Sequence, residues 1–417
     1  MKRVFIETYG CTLNHADSDI MRGILEEAGY AVFPDAPIFI LNTCAVKETT
    51  ENKLISRIEK LKAEGKKLVV AGCLGMEPNQ KRVKKADPDA VIVLPDAVSH
   101  IVEAVECAER GESRIFSGGT LKGSLPREYT APILRIGAQD GCVGNCYFCQ
   151  TKIARPKLAS IPLREIKRWV EEGVKRGAKE IQITGQDTGA YGIDIGSTLP
   201  EMLREVLDVE GDFRVRLGMI NPGHAKRMLP ELLKLLGHEK FYKFLHLPVQ
   251  TGSEKVREEM NRMHSVGDFE DVVRNARKKF PDLSVSTDII VGYPTESADD
   301  FEESKKLLER VEPDTVNISK FSSRRGTEAS RLGKIDTLEV KRRTVEMSGL
   351  VKKLGKKRNS RYLGRIADVL ITEMQKTPTG RMENYKQVCI GGDAGVGEWK
   401  KVKIVDCNHG SLFGEQV

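Results

Sequence analysis

Between residues 133 and 319 short apolar runs alternate six times with stretches whose apolar residues recur at helical spacing. Strands are expected at 133–136, 180–184, 214–218, 244–247, 285–291 and 314–319, and helices at 163–176, 198–207, 224–236, 253–262, 268–279 and 297–310. Six such units in a row leave little freedom. Crossovers between parallel strands are right-handed, so the series curls into a partial (βα)6 barrel with its helices outside. Loops at the carboxyl ends of those strands then carry the chemistry.

The flanks follow other patterns. Strands at 4–8, 38–42 and 68–71, with helices at 18–28 and after Val46, indicate an N-terminal doubly wound parallel sheet. Residues 111–131 are rich in Gly, Ser and Pro and read as a linker. Beyond residue 358 the strands become short, at 365–372, 381–390, 399–405 and 411–415, as in a small β-barrel. In Lys400-Lys401-Val402-Lys403-Ile404, Lys401 and Lys403 share one face and Val402 and Ile404 the other, as in a half-buried strand. The expected chain is α/β and multidomain: 1–110, a linker at 111–131, 132–357, and 358–417.

The first barrel strand leads into Gln139-Asp140-Gly141-Cys142-Val143-Gly144-Asn145-Cys146-Tyr147-Phe148-Cys149. Thiolates at these spacings can hold three corners of a cubane iron-sulfur cluster and leave the fourth iron open. Zinc is the weaker reading, because neither a second Cys pair nor a nearby histidine follows Cys149 to close a tetrahedron. Cys11, Cys44 and Cys73 each fall just past a strand of the first domain. Carboxyl ends of a parallel sheet face one crevice, so these three can converge on a second cluster. Taken singly, each reads as well as a small buried residue. Cys107, Cys389 and Cys407 lack the pattern and read as structural.

The same strand-end rule nominates Thr184-Gly185-Gln186-Asp187, His246-Leu247-Pro248-Val249-Gln250-Thr251-Gly252-Ser253 and Thr287-Asp288-Ile289-Ile290-Val291-Gly292-Tyr293-Pro294. Polar groups there can grip a nucleoside; Gln250, Ser253 and Thr287 can equally cap helices or close turns.

Nine unpaired-looking cysteines, no apolar signal segment behind Met1-Lys2-Arg3 and no apolar run long enough for a bilayer lead us to expect a cytoplasmic protein without membrane contact. The whole chain carries +7, yet residues 320–365 hold fifteen Lys or Arg against four acids, +11. That excess suits a polyanion such as RNA and also describes a solvated helix face. Asp336, with Glu339 three residues on, is the expected cap of a basic helix.

Cys142, Cys146 and Cys149, with Phe148 before the last, resemble the radical S-adenosylmethionine superfamily. The resemblance implies that the open iron is chelated by S-adenosylmethionine, whose cleavage releases a 5′-deoxyadenosyl radical. The candidate cofactor contacts are Phe148, Gln186, Arg216, Gln250, Ser253 and Asp288. With Tyr9-Gly10-Cys11, Asp17-Ser18-Asp19, Asn42-Thr43-Cys44-Ala45-Val46, Gly72-Cys73-Leu74, Gly185-Gln186-Asp187 and the two later strand-end runs, the whole chain resembles the methylthiotransferase family. That family implies two 4Fe-4S clusters, the second on Cys11, Cys44 and Cys73, and replacement of a carbon-hydrogen bond by carbon-S-methyl. An adenine C2 hydrogen is neither acidic nor electrophilic enough for polar substitution, so a radical is required.

Cys11-Thr12-Leu13-Asn14, Gly185-Gln186-Asp187-Thr188 and Gly218-Met219-Ile220-Asn221-Pro222 look most like the archaeal and eukaryotic branch acting on N6-threonylcarbamoyladenosine of transfer RNA. The other branches, acting on N6-isopentenyladenosine or on an aspartate of a ribosomal protein, and a non-enzymatic iron-sulfur RNA-binding protein are the alternatives. The terminal barrel resembles the RNA-binding TRAM domain. The implied partners are tRNA and a reductant such as a ferredoxin or flavodoxin, with the sulfur donor unspecified and a monomer expected. Gly72-Cys73-Leu74-Gly75-Met76 departs from the Ala-Gln that many relatives carry after Cys-Leu, which affects only the local loop.

Overall fold

The computed structural model describes residues 2–45 and 48–417, so the Val46 of the Cys44 motif lies outside the described residues. Six parallel strands form the first sheet, in the order Tyr30–Val32, Lys2–Thr8, Ile38–Thr43, Lys67–Gly72, Val91–Val93 and Ile115–Phe116. Every residue of Ile38–Thr43 is buried, as expected of a central strand covered on both faces. Strand order reverses at Lys2–Thr8, which opens a crevice between its carboxyl end and that of Ile38–Thr43.

Two features differ from the sequence expectation. The first helix is Thr12–Glu27, not 18–28; its opening turns bury Asn14, Asp17, Ser18 and Asp19, and buried polar residues carry no apolar periodicity. The stretch 111–131 is not a loose linker. It supplies the sixth strand of the sheet, and its Lys122 and Arg127 are buried against Asp17 and Asp19. Gly, Ser and Pro there encode irregular backbone that is nonetheless packed.

The central domain curls as two three-stranded parallel sheets. Ile133–Gly137, Glu180–Thr184 and Arg214–Leu217 form one, and Phe244–His246, Ser284–Val291 and Thr315–Lys320 the other. Parallel bridges Val215–Phe241 and Met219–His246 join them. The expected helix at 224–236 is two, Pro222–Arg227 and Leu229–Leu235, because Pro230 fits a first turn but cannot continue a helix.

Helix Thr337–Ser360 runs from the central domain to the last one. Asp336 caps it by accepting from the Leu338 and Glu339 amides, but Glu339 does not return the bond, because Arg342 and Arg343 hold its carboxylate. The basic stretch around this helix is also less free than its charge suggests: Arg324, Arg331, Arg342, Arg343, Lys357, Arg358 and Arg365 all form ion pairs. The C-terminal domain is a closed five-stranded barrel cored by Val369, Ile371, Val388, Val402, Ile404 and Leu412. Lys401 and Lys403 point outward, with Lys401 paired to Asp368 at 3.1 Å.

Tyr385 and Lys386 of this barrel both reach the central domain. Tyr385, at φ 65, packs on Tyr242 and Phe244 and donates to Glu180 Oε1 at 3.1 Å. Asp314 accepts from Lys386 at 2.8 Å and pairs with Arg358 and Arg277, each at 3.0 Å. Burial alone would raise the Asp314 carboxyl, but Lys386 and Arg358 pull it down to about 2. A depressed carboxyl stabilises the fold above its unfolded value near ~4 and loses that contribution as pH falls towards about 2, on the order of 2–3 kcal/mol. Asp314→Ala should cost more, about 3–5 kcal/mol, because the buried cations Lys386 and Arg358 lose their carboxylate. Urea denaturation followed by intrinsic fluorescence checks the loss, and a variant within about 1 kcal/mol of the parent would contradict it.

Candidate active site at the strand carboxyl ends

Three loops converge at the crevice of the first sheet, stapled by side chains of the strand ends. Asn14 donates to the carbonyls of Tyr9 (2.8 Å) and Thr43 (2.9 Å), and Asn42 donates to the Asn14 carbonyl (2.6 Å) and Ser18 Oγ (2.9 Å). Thr43 Oγ1 donates to the Ala71 carbonyl and accepts from the Leu74 amide, tying the Cys44 loop to the Cys73 loop. Cys11 is the N-cap residue of Thr12–Glu27 and is exposed, whereas Cys44 and Cys73 are buried. Gly10 has φ 108, and a Cβ there would stand 2.6 Å from Cys44 Cβ and 3.2 Å from its Sγ, so only glycine lets the first two loops close. Burial raises the Cys73 thiol above its ordinary value.

The second set occupies the loop after Ile133–Gly137. The Gly144 amide donates to Cys142 Sγ at 3.2 Å, and a Cβ at Gly144 would lie 3.4 Å from Cys142 Sγ and 3.9 Å from Cys146 Sγ. Among the described residues no three His, Cys, Asp or Glu side chains are gathered closely enough to share one metal ion, so the convergence of each set rests on these neighbour pairs. Burial pushes the Cys142 thiol up to about 11, with Asp187 adding to it, and raises Cys149 as well. The loop is held from several sides. Tyr147 N donates to the Met260 carbonyl, Asn261 donates to the Asn145 carbonyl at 2.9 Å, and Phe148 packs against Val256, Met260, Ile290, Tyr293 and Ala329.

The other nominated residues divide. Gln186, beside this loop, keeps a buried Oε1 without a partner among the described residues, as do Gln150 Oε1 and Arg262 Nε. Gln250 has φ 73, and its backbone amide and carbonyl pair with Asp288 and Ile290 of the neighbouring strand. Asp288 has two side-chain partners on neighbouring strands: His246 Nε2 at 2.7 Å and Asn317 Nδ2, which donates to it at 3.0 Å. Arg216 lies over the rings of Phe244 and Tyr385, towards the C-terminal domain. Ser253 is 1% exposed, and its Oγ accepts from the Val256 amide as a helix cap and donates to Asp300 at 2.7 Å. Thr287 Oγ1 donates to the Leu247 carbonyl and accepts from the Val249 amide.

Arg155, Lys122 and Arg262 were not found from sequence. Arg262 donates to the Pro248 carbonyl at 2.6 Å and reaches Cys146 Sγ at 3.4 Å. Arg155 and Lys122 meet Asp17 and Asp140 between the two cysteine sets. Asp140 stands two residues before Cys142, which was the available signal; the partners approach from distant segments.

Residues 136–308 match the radical SAM superfamily, residues 360–417 the TRAM domain, and residues 3–94 a family described as uncharacterized protein family UPF0004. Fold and sequence therefore define a radical S-adenosylmethionine protein with an added N-terminal sheet domain and a C-terminal TRAM barrel. The solved radical S-adenosylmethionine methyltransferase TsrM of Kitasatospora setae shares the fold with TM-score 0.57 and 12% identity, over 76% of this chain and 73% of that one. A protein of Archaeoglobus fulgidus named "Probable threonylcarbamoyladenosine tRNA methylthiotransferase" is 43% identical over 99% of this chain and 98% of its own length. The human threonylcarbamoyladenosine tRNA methylthiotransferase is 33% identical over 100% of this chain and 74% of its own. The chain belongs to the threonylcarbamoyladenosine tRNA methylthiotransferase family.

Proposed function

We propose that this chain replaces the C2 hydrogen of N6-threonylcarbamoyladenosine at position 37 of tRNA, beside the anticodon, with a methylthio group. The observation that carries the reading is the placement of two sets of three cysteines at strand carboxyl ends, one set on three loops and the other on one, that meet across Asp17, Arg155 and Asp140, in a chain related over its full length to enzymes of that name. Cys142, Cys146 and Cys149 would hold one 4Fe-4S cluster, and Cys11, Cys44 and Cys73 a second. The residues suit such groups: Cys44 and Cys73 are buried soft thiols, and the half-buried thiols of Cys142, Cys146 and Cys149 share their site with buried polar atoms on Gln186, Gln150 and Arg262 that lack partners among the described residues. When bound, the first cluster with S-adenosylmethionine supplies the radical hydrogen abstraction that an unactivated C–H bond requires.

The protein's own contribution is placement. Phe148 anchors the radical loop in an apolar pocket, and Gln186 and Gln150 offer amide oxygens to a polar ligand. Gln139 ties that loop to the next by donating to the Asp187 carbonyl at 2.6 Å. Electrons would come from a protein reductant such as a ferredoxin or flavodoxin, and we assign the chain to the cytoplasm as a monomer. No helix among the described residues is long and apolar enough to cross a membrane. Mass spectrometry of tRNA nucleosides from a deletion strain tests the substrate. Methylthio-threonylcarbamoyladenosine should disappear and its precursor accumulate; an unchanged level would turn attention to methylthio-isopentenyladenosine or a ribosomal protein.

The tRNA would lie along the TRAM barrel and the exposed side of helix Thr337–Ser360, where Lys352, Lys353 and Lys356 are exposed and form no ion pair among the described residues. Lys352→Glu/Lys353→Glu/Lys356→Glu should weaken tRNA binding at least about tenfold and flatten its salt dependence by roughly 2–3 in log–log slope. Filter binding across a salt series checks this; an unchanged slope would place the tRNA elsewhere.

A further inference from the structure

His246, Asp288 and Asn317 join side chains across three adjacent strands of the central domain. His246 Nε2 lies 2.7 Å from Asp288 Oδ2, and Asn317 Nδ2 donates to Asp288 Oδ1 at 3.0 Å. Leu245, Val285, Ile289 and Val316 of the same strands pack into the core, so strand alternation turns the three polar side chains to the concave face of the barrel. A carboxylate only accepts, so Nε2 carries the ring hydrogen and Asp288 fixes one tautomer. The neutral imidazole is left with a single lone pair, at Nδ1. That nitrogen has no partner among the described residues, and the side chain is 13% exposed. Backbone ladders already join these strands, so the side chains are not needed to hold them together.

The surroundings suit a nucleobase beside the radical loop. Met219, joined to His246 by a parallel bridge, is 36% exposed and offers an apolar surface next to the ring. Two residues past His246, the Pro248 carbonyl accepts from Arg262, which also reaches Cys146 Sγ at 3.4 Å. Asn317 is exposed on Thr315–Lys320, the edge strand of its sheet. Helix Thr337–Ser360, whose exposed side carries Lys352, Lys353 and Lys356, packs against that strand. A base swung out of an RNA lying on the helix therefore has an open edge by which to enter.

We propose that His246 seats the adenine to be modified: Nδ1 accepts a hydrogen bond from its N6–H, and Asp288, braced by Asn317, keeps the ring in the accepting form. The inference rests on the proposed tRNA substrate. Among the polar groups of an adenine base only N6 donates, so a lone fixed acceptor selects that edge. N6-threonylcarbamoyladenosine keeps one N6–H. S-adenosylmethionine carries the same group in its own adenine; the open edge beside the basic helix assigns the seat to the RNA base.

The test uses the full chain with both cysteine sets loaded, S-adenosylmethionine, dithionite, and tRNA bearing either N6-threonylcarbamoyladenosine or its N6-methyl derivative, which has no N6–H. With the parent chain the methyl derivative should lower kcat/KM for methylthiolation about tenfold. In His246→Leu the natural substrate should lose the same factor and the methyl derivative no more, because one hydrogen bond is lost once. Asp288→Asn should be as poor as His246→Leu: its amide nitrogen donates to Nε2, which moves the ring hydrogen to Nδ1 and sets donor against donor. His246→Gln, with an amide oxygen to accept, should recover part of the loss. In each variant the loss in methylthiolation should exceed any loss in 5′-deoxyadenosine formed without tRNA by about tenfold. Additive losses in His246→Leu with the methyl derivative overturn the contact, as does parent turnover in Asp288→Asn. Equal falls in methylthiolation and in tRNA-free 5′-deoxyadenosine would place the ring at S-adenosylmethionine and also overturn it. A parent chain that makes no methylthio product on this tRNA fails the proposed substrate itself, an outcome seen before any variant is made.

Discussion

Cys142→Ala should reduce 5′-deoxyadenosine formation to the background of the reaction without protein. Cys142 Sγ is held by the Gly144 amide and stands beside Cys146 on a loop fixed by Met260, Asn261 and the Phe148 pocket. Alanine keeps that backbone and removes one corner of a three-point attachment. Two thiols and an open edge do not retain a cube with a single free iron, so the loss should be all or nothing rather than graded. Chromatographic assay of 5′-deoxyadenosine with dithionite and S-adenosylmethionine measures it. Wild-type turnover in the variant would falsify the assignment of the triad, and absence of product from the parent chain would favour the non-enzymatic alternative.

Cys44→Ala should have the opposite profile: 5′-deoxyadenosine continues, while methylthiolated tRNA falls to the detection limit. Cys44 lies in the first domain, pressed against Gly10 and tied through Thr43 to the Cys73 loop, and it makes no part of the barrel. Its removal takes a ligand from the proposed second cluster. Iron content should fall by about half, as expected for one cluster of two. Incubation with substrate tRNA and parallel measurement of 5′-deoxyadenosine and modified nucleoside gives the ratio. Retained methylthiolation would remove the second cluster from the reaction.

The two results separate because the cysteine sets sit on different domains, and that separation was legible in the chain. Periodicity is local, so six strand–helix units, the preceding parallel sheet and the small terminal barrel could be read without knowing how they meet. The thiols could be read for the same reason, since each follows a strand end. Helix Thr12–Glu27 begins earlier than its periodicity shows because its first turns bury polar residues, and 111–131 packs although its composition reports only backbone irregularity. Strand-end position singles out Ser253 and Thr287 but does not show that their hydroxyls donate to Asp300 and the Leu247 carbonyl.

The chain alone carried the fold class, both cysteine sets and the family resemblance, because all three are written in spacings of a few residues. The charges were another matter. Whether Arg358 faces solvent or Asp314, and whether Arg155 reaches Asp17, depends on which surfaces of three domains come together. Of the fifteen cations at 320–365, Arg324, Arg343, Lys357, Arg358 and Arg365 pair with residues distant in sequence. An ion pair between Asp17 and Arg155, 138 residues apart, has no local signature: it exists only once the first sheet has docked on the barrel and excluded the water that would otherwise screen it.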